Sequence, residues 1–395
     1  MTSASHISDI AIVGAGPAGR MLARACVAQG LEVVVVDPDP EAGFAPTYAM
    51  FRDEVPDDLL PAVVAEWPSV QVLADGQELT LPTGYVRLGS AAAHAALSLP
   101  ASARVSAARV EAAHRVDEHV ELTLEGGGAV CARRVVDASG HRPVLLPRPD
   151  ARHEQIALGG TLRGPHGMRQ PLFMDFRGAA HEPPSFLYAL PLTDDELFVE
   201  ETVLLTALRP SWEQLEERLR DRLDGMGLQG ELTLEERCRI PMDPSLPAHS
   251  FLLGFGAAAA MVHPATGYQL GAAAALAGPL AACLAATRNE PLEQAVAAGW
   301  GVLWPPHRRH TRSMYLFGAE FLAGLDHVDL QRFFAVFFQI PAAKLRRYLS
   351  HDAKVSDVAS TMLAVYGRVP ADLRWALTRR GMQQPLPILR PLLGA

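Results

Sequence analysis

The first forty residues alternate between apolar runs and a small-residue turn. The apolar run DIAIV leads into three glycines, and a second apolar run, LEVVVV, ends on Asp37. This pattern predicts a strand, a glycine turn, a helix and a second strand. Gly14, Gly16 and Gly19 allow a tight turn, close approach of a pyrophosphate and close helix–strand packing. Because the helix start offers free N–H groups to phosphates and Asp37 can bind a ribose, the segment predicts a bound dinucleotide.

Two later segments favour FAD over NAD. The run ARRVVDASG ends on Asp137, Ser139 and Gly140 and resembles the second flavin-contacting turn of aromatic hydroxylases and related flavoproteins. Residues 251–282 predict a strand, a small-residue loop and an Ala-rich helix. In flavoproteins of this type, such a helix directs its N-terminus at the pyrimidine edge of the flavin, where reduced flavin is negative. The predicted cofactor contacts in this loop are Gly256, His263, Pro264 and Gly267.

The middle of the chain has a different pattern. Apolar runs such as PLFMDF, SFLYALPL and ELFVEETVLL predict strands, and a charged helix follows from Trp212 to Leu223. The predicted fold class is α/β, with an FAD-binding Rossmann-like part of the glutathione-reductase or aromatic-hydroxylase type, a β-sheet substrate domain and a helical C-terminal part. We assign residues 1–150 to FAD binding, with a substrate-facing insertion at 45–90. Residues 151–250 form the substrate sheet, and 251–395 hold the flavin loop and the C-terminal helices.

Composition narrows the class of protein. The 395 residues carry a net charge of −9, which gives no support to nucleic-acid binding. Hydrophobic residues make up 49%, but no apolar run has the length that a membrane helix requires. The four cysteines are isolated, and the polar start MTSASHIS shows no secretory signal. We therefore expect a cytoplasmic protein without a metal site, and peripheral attachment at the inner face of the membrane stays open.

Several segments together resemble one enzyme family. The chain has FVEET at 198–202, MVHPATGY at 261–268 and TYAMFRDE at 47–54, with QIALG, MDF, FLYALPL and RFFAVFF in matching order. These segments resemble the flavin-dependent lycopene cyclases that make β-rings. The resemblance implies an isomerase of carotenoid biosynthesis that closes a ring at the acyclic end of a polyene without net oxidation. It also implies reduced FAD, NADPH as the electron source, and a hydrophobic polyene or terpenoid substrate.

That chemistry needs an acid in a dry cavity. Protonation of the terminal double bond gives a tertiary cation, the neighbouring alkene attacks it, and loss of a ring proton completes the β-ring. Alkenes are weak bases, so the acid must be aimed at one carbon and water must be excluded. A carboxyl group in such a cavity has a raised pKa and stays protonated.

Two acidic pairs are the catalytic candidates. Glu200 and Glu201 lie on a predicted strand, where adjacent side chains point to opposite faces. The resemblance favours Glu200 as the acid and leaves Glu201 as its hydrogen-bond partner, while two exposed strand glutamates remain the alternative. Asp53 and Glu54 could stabilise the cation or assist deprotonation, or could equally cap the segment before Pro56.

Departures from the family pattern keep alternatives open. PTGYVRLGS at 82–90 lacks an acid and an arginine that the family commonly carries there, and TYAM replaces a tyrosine–glycine step. The alternatives are cyclisation of a non-carotenoid terpenoid or polyprenyl chain, a flavin-dependent hydroxylase, and a terpenoid-binding protein without activity. Many flavin hydroxylases carry an acid where this chain has Gly256-Ala257, which disfavours the hydroxylase.

Four phenylalanines recur at helical spacing and form an aromatic stripe, at Phe333, Phe334, Phe337 and Phe338. This stripe predicts either the packed core of a helix or a hydrophobic entrance for the substrate or for lipid.

Overall fold

The computed structural model describes residues 6–148, 150–247 and 250–383. The first five residues and 384–395, which the predicted N- and C-terminal regions include, lie outside the described residues. The strands in chain order are β1 (Ile7–Val13), β2 (Val33–Asp37), β3 (Tyr48–Phe51), β4 (Val63–Trp67), β5 (Val70–Ala74), β6 (Gln77–Leu81), β7 (Tyr85–Leu88), β8 (Arg104–Ala107), β9 (Val110–Val116), β10 (His119–Leu124), β11 (Ala129–Asp137), β12 (Glu154–Arg163), β13 (Leu172–Asp175), β14 (Phe186–Pro191), β15 (Glu196–Thr206), β16 (Glu231–Pro241) and β17 (Leu253–Gly254).

The helices pack against the strands and against one another. In chain order they are α1 (Pro17–Ala28), α2 (Ser90–Ala96), α3 (Trp212–Gly225), α4 (Leu270–Ala286), α5 (Leu292–Leu303), α6 (Pro306–Leu322), α7 (His327–Phe337), α8 (Ala342–Tyr348), α9 (Val355–Tyr366) and α10 (Ala371–Gln383). Short 3-10 turns lie at Arg52–Glu54, Asp57–Ala62 and Gly256–Ala259.

The first sheet carries the dinucleotide-binding topology. Its order is β8-β2-β1-β11-β10-β9, and β17 pairs with β11 beyond the end of β10. Strands β8, β2, β1 and β11 run parallel, and β1 and β2 are buried almost throughout in a hydrophobic core to which α1 contributes. Helix α4 packs on α1 and brings the predicted flavin loop back to the first sheet from 250 residues away in the sequence.

The second sheet forms the wall of a cavity. Its order is β16-β12-β15-β14-β13-β5-β6, and a small sheet β3-β7-β4 lies beside it. On one face, Leu215, Leu219 and Leu223 of α3 pack against buried strand residues such as Val199 and Val203. On the other face the C-terminal helices supply an aromatic and aliphatic cluster that includes Phe334, Phe337 and Leu345.

The predicted fold class is confirmed, and the strand pairing refines it. Strands β5 and β6, within the predicted insertion 45–90, belong to the second sheet, because β5 pairs with β13 and β6 pairs with β5. The domain ranges themselves stay a prediction. No helix in the described ranges combines the length and the apolarity needed to cross a membrane.

Candidate active site

The glycine turn after β1 has the shape that a pyrophosphate site requires. Gly14 has φ +108°, and a Cβ there would lie 2.7 Å from the carbonyl oxygen of Ala138. A Cβ at Gly19 would fall onto the carbonyl oxygen of Gly14, so the helix can approach the strand only without a side chain. Gly16 differs, because a Cβ there would meet nothing within 4 Å. The open space at Gly16 is where a phosphate group can reach the start of α1.

Two aspartates hold the turns around this space. Asp37 Oδ2 accepts the N–H of Ala15 at 2.7 Å, and its Oδ1 accepts the N–H of Asp39, so the half-buried carboxylate steadies the glycine turn. Asp137 is fully buried and accepts hydrogen bonds from Ser139 and from the N–H groups of Leu145 and Leu146. Its carboxylate faces the backbone of its own turn, so any contribution to FAD binding is to shape that turn. Gly140 follows with φ +98°.

Two glycines of the loop before α4 lie against buried amide groups, those of Gln155 on β12 and Gln269 at the start of α4. Gly256 has φ +67°, and a Cβ there would lie 2.7 Å from both Ala18 Cβ and Gln269 Nε2. Gly267 has φ +74°, and a Cβ there would lie 2.7 Å from Gln155 Oε1. Gln269 Nε2 and Gln155 Oε1 are buried without a hydrogen-bond partner within the described part of the chain. Buried amides normally find partners, so these two fit the polar edge of a flavin, which the N-terminus of α4 also suits.

His263 and Pro264 belong to the same loop. The imidazole of His263 is buried, packs edge-on against Tyr315 at 4.6 Å between ring centroids, and accepts the N–H of Ala265 on Nδ1. Burial lowers the pKa of His263 to about 4, so the ring is neutral at pH 7. Pro264 and Gly267 line the adjoining cavity.

This cavity has a volume of about 730 Å³ and lies between the second sheet and the C-terminal helices. Its walls are largely aromatic. Tyr85 is hydrogen-bonded to the hydroxyl groups of Tyr188 and Tyr268, and Phe51 and Phe173 pack around it. Three of the four phenylalanines of α7 and its C-terminal cap are buried, and all four line the cavity, at Phe333, Phe334, Phe337 and Phe338. The stripe is therefore both helix core and cavity wall.

Glu200 lies on the cavity face of β15. It pairs with Tyr188 on β14 and Gly159 on β12, and its Oε1 accepts the Thr202 hydroxyl at 2.6 Å. Desolvation raises the pKa of Glu200 to about 7; the charge of Glu236 adds to this rise and the Thr202 hydrogen bond opposes it. A carboxyl with this pKa is a proton donor in neutral solution.

Glu201 lies on the opposite face of the sheet. Its two oxygens accept hydrogen bonds from Nε and an Nη of Arg222 on α3, at 2.9 and 3.0 Å, and both side chains are buried. Arg222 also donates to the backbone carbonyl of Asp175. The structure thus separates the two glutamates: Glu200 faces the cavity, and Glu201 joins α3 to the sheet.

Asp53 and Glu54 share one arginine. Arg346 on α8 lies 2.8 Å from Asp53 Oδ1 and 2.7 Å from Glu54 Oε1, with its guanidinium 4.2 Å from the centroid of the Phe51 ring. Burial opposes ionisation of Glu54, but His351 and Arg346 together lower its pKa to about 2. Glu54 lines the cavity near the start of α4, whereas the Asp53 side chain is 62% exposed. Glu54 is thus a fixed carboxylate and a poor proton donor.

Sequence reasoning missed a second cavity carboxyl and the tyrosine cluster. Glu236 on β16 lines the cavity, and its Oε1 accepts the N–H of Thr47 at 2.8 Å. The tyrosines come from β7, β14 and the flavin loop, and no local pattern joins them. Alternation along β16 groups Glu236 with Cys238 and Ile240, which face the cavity, but equally with Leu232 and Leu234, which pack with the α3 residues, so it could not place Glu236. No cluster of three or more His, Cys, Asp or Glu in the described ranges could hold a metal ion.

Comparisons with known proteins show which family the chain resembles in sequence. A family model described as "Lycopene cyclase protein" matches residues 9–374. An "Uncharacterized carotenoid cyclase" from Deinococcus radiodurans is 32% identical, covering 98% of this chain and 97% of that protein. A "Lycopene beta cyclase" from Synechococcus elongatus is 33% identical over 66% of this chain and 67% of its own length.

Solved structures share the fold at low sequence identity. A geranylgeranyl bacteriochlorophyll reductase-like protein from Thermoplasma acidophilum gives a TM-score of 0.70 at 14% identity, covering 94% of this chain and 100% of its own. A probable FAD-dependent monooxygenase from Pseudomonas aeruginosa gives a TM-score of 0.58 at 18% identity, covering 82% of this chain and 99% of its own. The fold is that of FAD-binding enzymes, in keeping with the glycine turn and the loop before α4. With a family match over nearly its whole length, the chain belongs to the lycopene cyclase family of enzymes.

Proposed function

We propose that this protein closes a β-ring at the acyclic end of a lycopene-like polyene, with Glu200 as the initiating acid and without net oxidation. The observation that carries the proposal is a carboxyl of raised pKa on the wall of an aromatic cavity. A hydroxylase is not favoured, because the family match is to cyclases. A binding protein without activity would have no use for a desolvated acid at the cavity wall.

Glu200 gives its proton to the inner carbon of the terminal double bond, which leaves the tertiary cation on the terminal carbon. The Thr202 hydroxyl, two residues further along the same face, fixes one carboxyl oxygen and so limits the directions in which the proton can point. The walls around Glu200 are largely apolar, which excludes the water that would trap the cation. Glu201 supports the strand from behind through Arg222 and takes no part in proton transfer.

The aromatic walls suit the cation that follows protonation. Tyr188 pairs with Glu200 across the sheet, and Tyr85 and Tyr268 are tied to it in one hydrogen-bonded cluster. Ring faces attract a cation, and the effect grows when the site is dry. Burial raises the pKa of Tyr85 well above its usual range, so its hydroxyl stays neutral. Glu54 supplies a fixed negative charge near the start of α4.

FAD fits the space between the glycine turn and α4. Gly16, the Gln155 and Gln269 amides and the α4 N-terminus would hold it, and Gly256, His263, Pro264 and Gly267 shape the loop. When bound in its reduced form, FAD would supply negative charge beside the cation or help to move a proton. We further propose NADPH as the source of its electrons.

Expression in a lycopene-accumulating host tests this function. Chromatography of the pigments should show a carotene with one or two β-rings and the mass of lycopene. With purified protein, turnover should require reduced FAD but consume no NADPH in proportion to product. An oxygenated product would establish the hydroxylase instead, and unchanged lycopene with bound flavin would favour the binding protein.

We also propose that α9 and α10 contact the membrane from which the substrate comes, so that the protein acts at the cytoplasmic face. Leu363 is 71% exposed and lines the cavity, and Trp375 and Met382 are each 63% exposed on α10. The exposed Arg368, in the turn after α9, and the exposed Arg379, on α10, suit anionic headgroups.

Flotation with liposomes containing anionic lipid measures this contact. Trp375→Ala should weaken binding, whereas Leu208→Ala, at a residue 52% exposed on the loop after β15, should not. Equal flotation of the wild type and the Trp375→Ala protein would contradict the assigned face.

A further inference from the structure

Glu200 and Glu236 lie on either side of a glycine. Gly159, on the central strand β12, pairs with Glu200 on β15 and with Glu236 on β16. Residues paired directly across neighbouring strands point to the same face of a sheet, so both carboxyl groups point into the cavity. A Cβ at Gly159 would lie only 3.1 Å from Glu200 Cβ and 3.2 Å from its Cγ. The missing side chain at Gly159 thus leaves room for the Glu200 side chain on the strand that separates it from Glu236.

A β-bulge directs Glu236 into the cavity. On β16, Glu236 pairs with Gly159 but Leu234 pairs with Gly160, so Glu235 is an extra residue. Glu235 is exposed, whereas Glu236 lines the cavity. Bulges of this kind re-aim side chains near active sites. Gly160 permits it, because a Cβ there would fall onto the carbonyl oxygen of Thr233.

We propose that Glu236 is the second carboxyl of the acid–base centre, and that Glu200 and Glu236 hold one proton between them across Gly159. The inference rests on the proposed function and deepens it. Glu200 starts each turnover protonated because burial disfavours its charged form and the negative charge of Glu236 adds to this effect. Like charges that share a site are known to hold one proton in this way.

The proton balance of the reaction closes within this pair. The Glu200 proton forms a C–H bond with the inner carbon of the terminal double bond, and the terminal carbon becomes a tertiary cation. The neighbouring double bond then forms the ring C–C bond, a ring C–H bond breaks, and its electron pair becomes the ring double bond. The released proton returns to the two carboxylates. The pair starts and ends with one proton, and no electrons are gained or lost.

The surrounding groups are compatible with a shared proton. Around Glu200 lie the Thr202 hydroxyl, the neutral tyrosines at 85, 188 and 268, and Cys238. Around Glu236 lie the Thr47 N–H, Glu235 and Arg87, whose charge favours the carboxylate form of Glu236. Burial nevertheless raises the pKa of Glu236. Because the positive charge of Arg87 stabilises the carboxylate form of Glu236, we assign Glu236 as the carboxylate and Glu200 as the acid.

Glu236→Gln tests the pair, with Glu235→Gln as a matched control one residue away. The amide oxygen can still accept the Thr47 N–H, but the negative charge is gone. The alkaline limb of the pH–rate profile should move about one unit lower, so turnover at pH 7 should fall about fivefold. Glu235→Gln should change neither. An unchanged profile in Glu236→Gln would overturn the proposal, as would a loss of rate with the alkaline limb in place.

A measurement without substrate separates this inference from the proposed function. In the FAD-loaded enzyme, the infrared carboxyl band that disappears in Glu200→Gln should titrate at lower pH in Glu236→Gln than in the wild type. Equal titration would refute the pair even if the enzyme cyclises lycopene. A wild-type enzyme that shows the coupled titration but no cyclisation would instead refute the function.

If Glu236→Gln does not fold, Gly159→Ala puts a methyl group between the two carboxyl groups. The Glu200 band should then also titrate at lower pH, and no change would overturn the proposal.

Discussion

The two acidic pairs of this protein have similar sequences but opposite environments. On β15, the strand sends Glu200 into the cavity and Glu201 to Arg222 behind the sheet. In the 3-10 turn Arg52–Glu54, the backbone leaves Asp53 and Glu54 close enough to share Arg346. The pair on β15 therefore contains a carboxyl of raised pKa, Glu200, whereas the pair in the 3-10 turn contains one of lowered pKa, Glu54. The difference shows that the backbone conformation, rather than the residue type, decides which acid can donate a proton.

The largest expected effect is on the rate of Glu200→Gln. This change keeps the side-chain shape and removes the acidic proton, so turnover should fall about 10³-fold. FAD content and thermal stability should stay close to those of the wild type. In deuterated water, the wild type should place deuterium on the ring carbon next to the quaternary carbon. If Glu200→Gln stays active while Glu201→Gln is dead, the roles of the two glutamates must be exchanged.

Glu201→Ala should instead reduce stability. It leaves the buried Arg222 without its carboxylate partner, which typically costs about 3–5 kcal/mol. Urea denaturation followed by circular dichroism measures this loss. Replacing both partners, Glu201→Leu with Arg222→Met, should recover much of it, because no charge is then left unpaired. Turnover per bound FAD should fall far less than in Glu200→Gln, and a comparable fall would contradict the assigned roles.

The pH dependence should run in opposite directions for the two pairs. The pKa of Glu200, about 7, lies above that of an unfolded glutamate, so its contribution to stability is lost as pH rises toward 7. The pKa of Glu54, about 2, lies below it, so that contribution is lost as pH falls toward 2. Above pH 7, turnover should also decline about tenfold per unit.

Denaturation midpoints measured at a series of pH values test how Glu200 and Glu54 each change the stability of the protein with pH. Relative to the wild type, Glu200→Gln should gain stability above pH 7, and Glu54→Gln should lose stability at pH 7 but approach the wild type near pH 2. Parallel curves for both variants would show that neither carboxyl has the shifted pKa argued here.

Asp53→Asn should have the smallest effect. The Asp53 side chain is 62% exposed, and exposed ion pairs contribute at most about 1 kcal/mol. Glu54→Gln should cost more, because Glu54 is only 8% exposed. Thermal melts of the two variants at pH 7 measure the difference. A larger loss of thermal stability in Asp53→Asn than in Glu54→Gln would mean that Arg346 is held mainly by the exposed carboxylate of Asp53.

The features that the sequence predicted depend on local backbone geometry. The glycine spacing predicts the turn after β1 because only glycine tolerates φ +108° at Gly14 and the close approach of α1 at Gly19. The alternation of a strand predicts that Glu200 and Glu201 face apart. Asp137 shows where this reasoning becomes incomplete: its position after β11 is clear from the sequence, but its burial against its own turn is not.

What only the tertiary structure decided concerns groups that are distant in the chain. Arg346 meets Asp53 across 293 residues, and Thr47 meets Glu236 across 189. The cavity joins tyrosines from β7, β14 and the loop before α4, and the bulge at Glu235 turns Glu236 toward Glu200. Periodicity along one strand shows that its two faces differ. Which face is dry, and which charges meet there, depends on the packing of segments that are far apart in the sequence.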